Sequence, residues 1–292
     1  MRNIWRAITF PFRLIFSILR WLARSLGRRL SGIRAFFTEE VEDAPVGEAL
    51  SKAWDQPSDL LVHLDALRKH LFRAVLALIV TTGLAFTYFD RLLDFLARPL
   101  PGGAASLQAI EVTEPISTVM RVSLFAGFAL AFPYIALELW LFIGPGLSRR
   151  SRLAGLLAIP IATLFFIGGM AFAYYVMMPT ALPFLLNFMG INTLPRPSNY
   201  VKFVTSLLFW IGVAFEFPLV IFLLAKLGFV RPRTLAQQWR LAVVIIAVVS
   251  AMITPTIDPV NMGLVMLPMI GLYFLSIILA VFAAPKREQA PG

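Results

Sequence analysis

Six long apolar runs decide what this chain can become. They lie at about 71–89, 119–142, 153–178, 202–225, 240–254 and 262–283, and a hydrocarbon core of about 30 Å takes about 20 such residues per helix. Lipid leaves unpaired amides unanswered, so runs of this kind cross as helices. Only 14% of the 292 residues are charged and 59% are hydrophobic, against about 25% charged in soluble domains. The fold expected is therefore all-α and integral to a membrane, with six transmembrane helices. The fifth run, RLAVVIIAVVSAMIT, is too short, because 15 residues reach only about 22 Å. It needs a thinned bilayer or protein around it.

Charge sets the orientation. The net charge is +10, and the basic residues sit between the apolar runs, which suits topology and anionic headgroups better than nucleic acid. Basic residues concentrate in the amino-terminal segment, GPGLSRRSR, KLGFVRPR and the tail PKREQAPG. The positive-inside rule then puts both termini in the cytoplasm. With no cysteine and two histidines, neither thiolate chemistry nor a His-rich metal centre is expected, and no cofactor is implied.

Ahead of the spans, Arg13, Arg20, Arg24 and Arg28 fall in one helical stripe about 80° wide, with Ile15, Phe16, Ile18, Leu19, Leu22 and Leu26 over much of the rest. Residues 1–38 read as an amphipathic cytoplasmic helix lying on lipid, or alternatively packed on another subunit. An acidic linker (39–58), a membrane domain (59–284) and a short tail (285–292) complete the division. The first outside loop carries Leu92, Leu93, Leu96 and Leu100, a short helix expected to end at Pro101-Gly102-Gly103. Glu111 and Glu114, in the same loop, are expected to be solvated or to cap short helices.

Glu216 stands inside the fourth run, where a carboxylate costs roughly 2.5–3.5 kcal/mol on insertion scales. Pro218 follows it and frees a backbone carbonyl one turn earlier. Two readings stay open: a hydrated acidic site able to contact a partner helix or carry a proton, or a protonated side chain hydrogen-bonded for structure alone.

Motifs in series then narrow the reading: HLDALRKHL (63–71), ARPL (97–100), TEPI (113–116), PYIALELWLFIGPGL (133–147), GMAFAYYVMMP (169–179), GVAFEFPLV (212–220) and MITPTIDPVNMGLVMLP (252–268). Together they resemble the TatC family, the polytopic subunit of the twin-arginine protein translocase, over about residues 58–283. The resemblance implies a concave, glove-like arrangement of the six helices, with short fifth and sixth members. It also implies a cytoplasmic-membrane protein that docks twin-arginine signal peptides of folded precursors. Such a protein recruits single-span TatA-like and TatB-like subunits into a hetero-oligomer, draws on the proton-motive force, and catalyses no covalent reaction.

Carried onto this chain, the resemblance assigns signal-peptide contacts to Leu64, Asp65, Leu67, Arg68, Glu138 and Phe142. It assigns the intramembrane polar site to Glu216, partner docking to Met252, Ile253 and Thr254, and structural turns to Pro99 and Asp258. Two family acids are replaced: Ala66 stands at the glutamate of HLxELR, and Ser151 at the glutamate of GLYxxERR. Neither can make the bidentate carboxylate contact that a guanidinium takes. Recognition then falls to Asp65, Asp59 or a partner's acid. Alternatively, the chain is a divergent scaffold without direct twin-arginine reading. A proton-coupled small-solute carrier is the rival from another class, disfavoured by the absence of internal repeats.

Overall fold

The computed structural model describes residues 57–144, 149–187, 194–226, 228–254 and 259–283. Nine α-helices are assigned among them: α1 Pro57–Thr87, α2 Phe89–Ala97, α3 Glu114–Ile143, α4 Arg149–Phe172, α5 Met178–Leu186, α6 Pro197–Lys226, α7 Pro232–Gln237, α8 Trp239–Ile253 and α9 Pro259–Ala283. No strand occurs among these residues. A single π turn, Ala173–Met177, joins α4 to α5, so Ala158–Leu186 reads as one span. Five segments are long and apolar enough to cross a membrane, and α8 is the short sixth. At 15 residues, α8 is about 22 Å long, the deficit expected for the fifth run. The amino-terminal amphipathic helix, the acidic linker up to residue 56 and the tail fall outside the described residues, while positions 57 and 58, expected in the linker, already belong to α1.

Prolines punctuate the long helices at Pro133, Pro160, Pro183, Pro218 and Pro268. Each removes a backbone donor and leaves a carbonyl one turn earlier without its usual partner. The chain falls into two compact units, and two of the three dividing points lie at such prolines. One unit runs to Val80 and resumes over Tyr134–Ile159; the other takes Thr81–Pro133 and everything from Pro160.

The second unit holds the core, in which Phe166, Met177, Met178, Val201, Val204 and Ile211 are almost fully buried. Small residues set its tightest crossing. A Cβ added at Gly169 would lie 2.8 Å from the Ile211 carbonyl oxygen, and one at Gly212 would lie 2.8 Å from the Phe166 ring. Helices α4 and α6 therefore touch backbone to backbone, the packing mode of membranes, where apolar area against lipid drives nothing. Phe132 stacks on Phe166 at 4.1 Å beside this crossing. Farther along, α9 packs along α6 and α8, and the Tyr273 hydroxyl donates to the Leu235 carbonyl at 2.7 Å.

Helix α2 follows α1 almost at once. Leu92, Leu93 and Leu96 turn inward, while Asp90, Arg91 and Asp94 are exposed. It ends at Ala97, three to four residues earlier than the leucine pattern suggests, because Pro99 has no N–H to give the Phe95 carbonyl four residues before it, although Arg98 still keeps helical angles. Leu100 is nonetheless buried. Gly102 and Gly103, with φ of 84° and 62°, then take a left-handed bend open to glycine. The last carbonyls of α2 have no partner within the helix. Two distant tyrosines supply it: Tyr174 donates to Phe95 O at 2.5 Å, and Tyr200 donates to Leu96 O at 2.7 Å. Tyr174 sits in the π turn, where the extra residue re-aims side chains.

Glu114 departs from what its loop position suggests. It is buried rather than solvated, and it takes the other expected place, at a helix start: it is the first residue of α3, and its carboxylate accepts from Ile110 N at 3.1 Å. Arg196 Nε donates to it at 2.6 Å and Ser198 Oγ at 3.2 Å, while Arg196 Nη2 reaches Glu111 at 2.6 Å. The hydrogen bonds to Glu111 and then Glu114 push the Arg196 guanidinium above its ordinary value. A carboxylate at a helix N-terminus also meets the positive end of the helix dipole.

Candidate functional site

Two polar places interrupt the apolar helices, one in each unit. In the first unit, α1 brings Leu64, Asp65, Leu67 and Arg68 to an exposed surface, with Ala66 half-buried between them. Asp65 is engaged within its own helix: Lys69 Nζ lies 2.6 Å away and Arg68 Nε 4.0 Å. Those i,i+4 and i,i+3 spacings are the ordinary salt-bridge geometry of a helix surface. Two cations that would compete with an incoming guanidinium thus already sit on Asp65.

One turn on, a different carboxyl is found. Glu138, from α3, is 1% exposed, and His70 Nδ1 donates to its Oε2 at 2.6 Å. Arg73 Nη1 stands 4.0 Å from the same oxygen. Phe142, one helical turn after Glu138, presents to the His70 ring at 6.2 Å and 61°. Three residues from α1 and α3, 68 positions apart in the case of His70 and Glu138, therefore surround one buried carboxyl. Of the residues expected here, Glu138 and Phe142 come together; Asp65 stays on its own helix face. His70 and Arg73 are functional candidates that sequence reasoning passes over. Their signal is present, since His70 and Arg73 fall on nearby faces of one apolar span, where a basic residue needs a partner.

In the second unit, Glu216 lies on α6 one turn beyond Gly212. Its Oε1 is buried with no hydrogen-bond partner among the described residues. The Gly169–Gly212 crossing fixes where this turn stands, and Pro218 two residues later is buried. A buried acceptor without a partner is costly, which sets this carboxyl apart from Glu138.

At the end of α8, Met252 is 80% exposed, whereas Ile253 and Thr254 are buried. The Thr254 hydroxyl donates to Ser250 O at 2.9 Å, within its own preceding turn, and is not available to a second helix in this state. Of the three, Met252 alone presents its side chain at the surface. Pro99 is half-buried at the end of α2. Ser151 lies on α4, with its side chain outside what is described, and Asp258 lies outside the described residues.

Apolar helices of spanning length, carboxyls held inside them and a short penultimate helix define a polytopic α-helical membrane protein of transport type. Residues 62–268 match the family model described as Sec-independent protein translocase protein (TatC). The TatC protein of Campylobacter jejuni is 36% identical over 242 residues, covering 80% of this chain and 98% of the relative. That of Deinococcus radiodurans is 35% identical, covering 80% and 90%. A crystal structure described as the twin arginine translocase receptor TatC superposes with a TM-score of 0.67 at 30% identity, over 76% of this chain and 99% of that one. The same receptor in DDM gives 0.68 at 31% identity, over 75% and 99%. This chain belongs to the TatC family, and it is a membrane-embedded component of a protein translocase.

Proposed function

We propose that this chain is the signal-docking subunit of a twin-arginine translocase in the cytoplasmic membrane, with both termini cytoplasmic. In this reading it works with single-span TatA-like and TatB-like subunits and performs no covalent catalysis. The observation that carries the reading is the buried Glu138 carboxyl, reached by His70 and Arg73 and edged by Phe142. Alanine and serine stand at the two positions where the family's acids are expected, and Asp65 is neutralised by Lys69. Glu138 is then the carboxyl that an incoming arginine pair competes for, displacing Arg73 and His70. A charge-assisted contact of this kind, taken in a dry setting, is stronger than one made at the exposed Asp65.

Orientation follows from the basic residues at Arg149, Arg150 and Arg152, and at Lys226, Arg231 and Arg233, on the side where the positive-inside rule puts the cytoplasm. The exposed Met252 on α8 supports a role for that helix in meeting a partner's span.

Site-directed crosslinking at Phe142 with a twin-arginine signal peptide and a twin-lysine control tests the assignment. The expected result is a crosslink to the arginine peptide that falls strongly in Glu138→Gln and persists in Asp65→Asn. Equal labelling by both peptides in wild type points to the alternative, a TatC-like scaffold that organises partners without reading arginines. Asp65 favours that alternative to a degree, because its carboxylate is already spoken for by two cations.

A further inference from the structure

Within the second unit, α1, α2, α3 and the Ala158–Leu186 span enclose a cavity of about 560 Å³. Leu96, Val122, Phe125, Ala126 and Met170 form its interior, and its lining is almost wholly apolar. Several rim residues are exposed, among them Leu84, Leu130 and Tyr175, so it opens on the surface that these spans turn to the bilayer. Its size is that of a small-ligand site. A helix about 10–12 Å across fills a comparable volume with a single turn, so a partner's span does not fit. A flexible hydrocarbon chain does.

Charge at the mouth identifies what the chain is attached to. Tyr88 and Phe95 both line the cavity. The Arg91 guanidinium sits 5.9 Å from the Tyr88 ring centroid, and that of Arg98 sits 5.5 Å from the Phe95 centroid. At about 100° per residue, Arg91 and Arg98 share one stripe of α2 to within about 20°, and seven residues of rise separate them by about 10 Å. Going round the helix from the solvent face, Asp90 and Asp94 come first, the two arginines next, and the cavity-lining Phe95, Tyr88 and Leu92 after them. The cations therefore stand between the acids and the apolar cavity. Neither arginine makes an ion pair among the described residues, and both are exposed.

We propose that this is a binding site for an anionic phospholipid of the leaflet on the α2 side. One acyl chain occupies the apolar cavity, and Arg91 and Arg98, laid over the rings at its mouth, take the phosphate. An acyl chain alone would need no arginines, and a free anion would need no cavity; the lipid uses both. Tyr174 stiffens the wall by stacking on Phe95 at 4.6 Å and bonding its carbonyl. The site is independent of signal docking, and a lipid retained there would brace α2 against the spans.

The test is native mass spectrometry of the full chain in detergent, titrated with phosphatidylglycerol and with phosphatidylcholine of the same acyl chains. The expected result is preferential retention of phosphatidylglycerol. The double variant Arg91→Gln/Arg98→Gln should lose about tenfold or more of it, from two cation–headgroup contacts. Asp90→Asn/Asp94→Asn should keep or raise it. A phosphatidylglycerol with a photoreactive group midway along one acyl chain should label 84–96, 122–130 and 167–175 in the wild-type protein. That measurement does not depend on any variant folding. Equal retention of the two lipids, an unchanged affinity in the double arginine variant, or label spread evenly over all spans would overturn the assignment. So would loss of label on adding a signal peptide with its apolar segment, which would make the cavity the peptide's.

Discussion

Glu138 and Glu216 are carboxyls in apolar helices of the same chain, and their surroundings differ in kind. Glu138 is answered by the imidazole of His70 at 2.6 Å, with Arg73 at 4.0 Å. Glu216 has a buried oxygen with no partner among the described residues, on a helix pressed against its neighbour through Gly169 and Gly212. Burial of a polar group is tolerable when its bonds are made and costly when they are not. The first site is therefore closed until something competes for its carboxyl. The second keeps one buried oxygen unanswered among the described residues, on a turn placed by close helix packing. A polar group inside a span is thus no single kind of feature, and what distinguishes the two lies in residues far away along the chain.

Substitutions at four positions test that contrast. The largest effect should come from Gly212→Val, which forces carbon into the Phe166 ring and separates α4 from α6. Overpacking costs about 1–3 kcal/mol and sometimes more, and the Phe166 ring, fully buried and stacked on Phe132, has little room to yield. Thermal unfolding in detergent should show it, and an unchanged midpoint would mean the glycine contact does not hold the Glu216 turn. Next is His70→Ala, which removes the 2.6 Å partner of Glu138 and should cost about 1–2 kcal/mol by taking one hydrogen bond from a buried carboxyl. His70→Gln should recover part of the loss; no difference between the two variants would remove the hydrogen bond from the account of this site.

Glu216→Gln should leave stability within about 1 kcal/mol of wild type, since its buried Oε1 has no hydrogen bond to lose among the described residues, while translocation of a twin-arginine precursor falls about tenfold or more. Loss of stability with full transport would reverse the comparison and make Glu216 the structural carboxyl. The smallest effect belongs to Asp65→Asn. Its partners lie on the same exposed helix face, so the melting midpoint should not move and peptide crosslinking should change by less than about twofold. A loss matching that of Glu138→Gln would return recognition to Asp65.

Much of the molecule is readable from the order of its residues. The long spans, the undersized α8 and the short amphipathic α2 follow from local rules of length and periodicity, and the TatC family follows from motifs in series. Glu216 and Glu138 stand out because a carboxyl in an apolar run is conspicuous. Glu114 does not, because a loop acid flanked by Thr113 and Pro115 carries no sign of Arg196, 82 residues later. The same distance hides Tyr174 and Tyr200 as caps for α2, and hides the role of Gly169 and Gly212. The expectation that Leu100 belongs to α2 fails for a local reason, the proline at 99, although the leucine does face the core.

Chain order settled that the molecule lives in lipid, how many helices cross it and which family it joins, because hydrophobic length and helical period are properties of neighbouring residues. Three-dimensional packing settled which carboxyl is satisfied, which is left open, and where an apolar cavity meets two arginines. Those outcomes depend on contacts between segments dozens of residues apart. Inside a membrane, where no bulk water stands ready to bond a polar group, such contacts decide what each residue does.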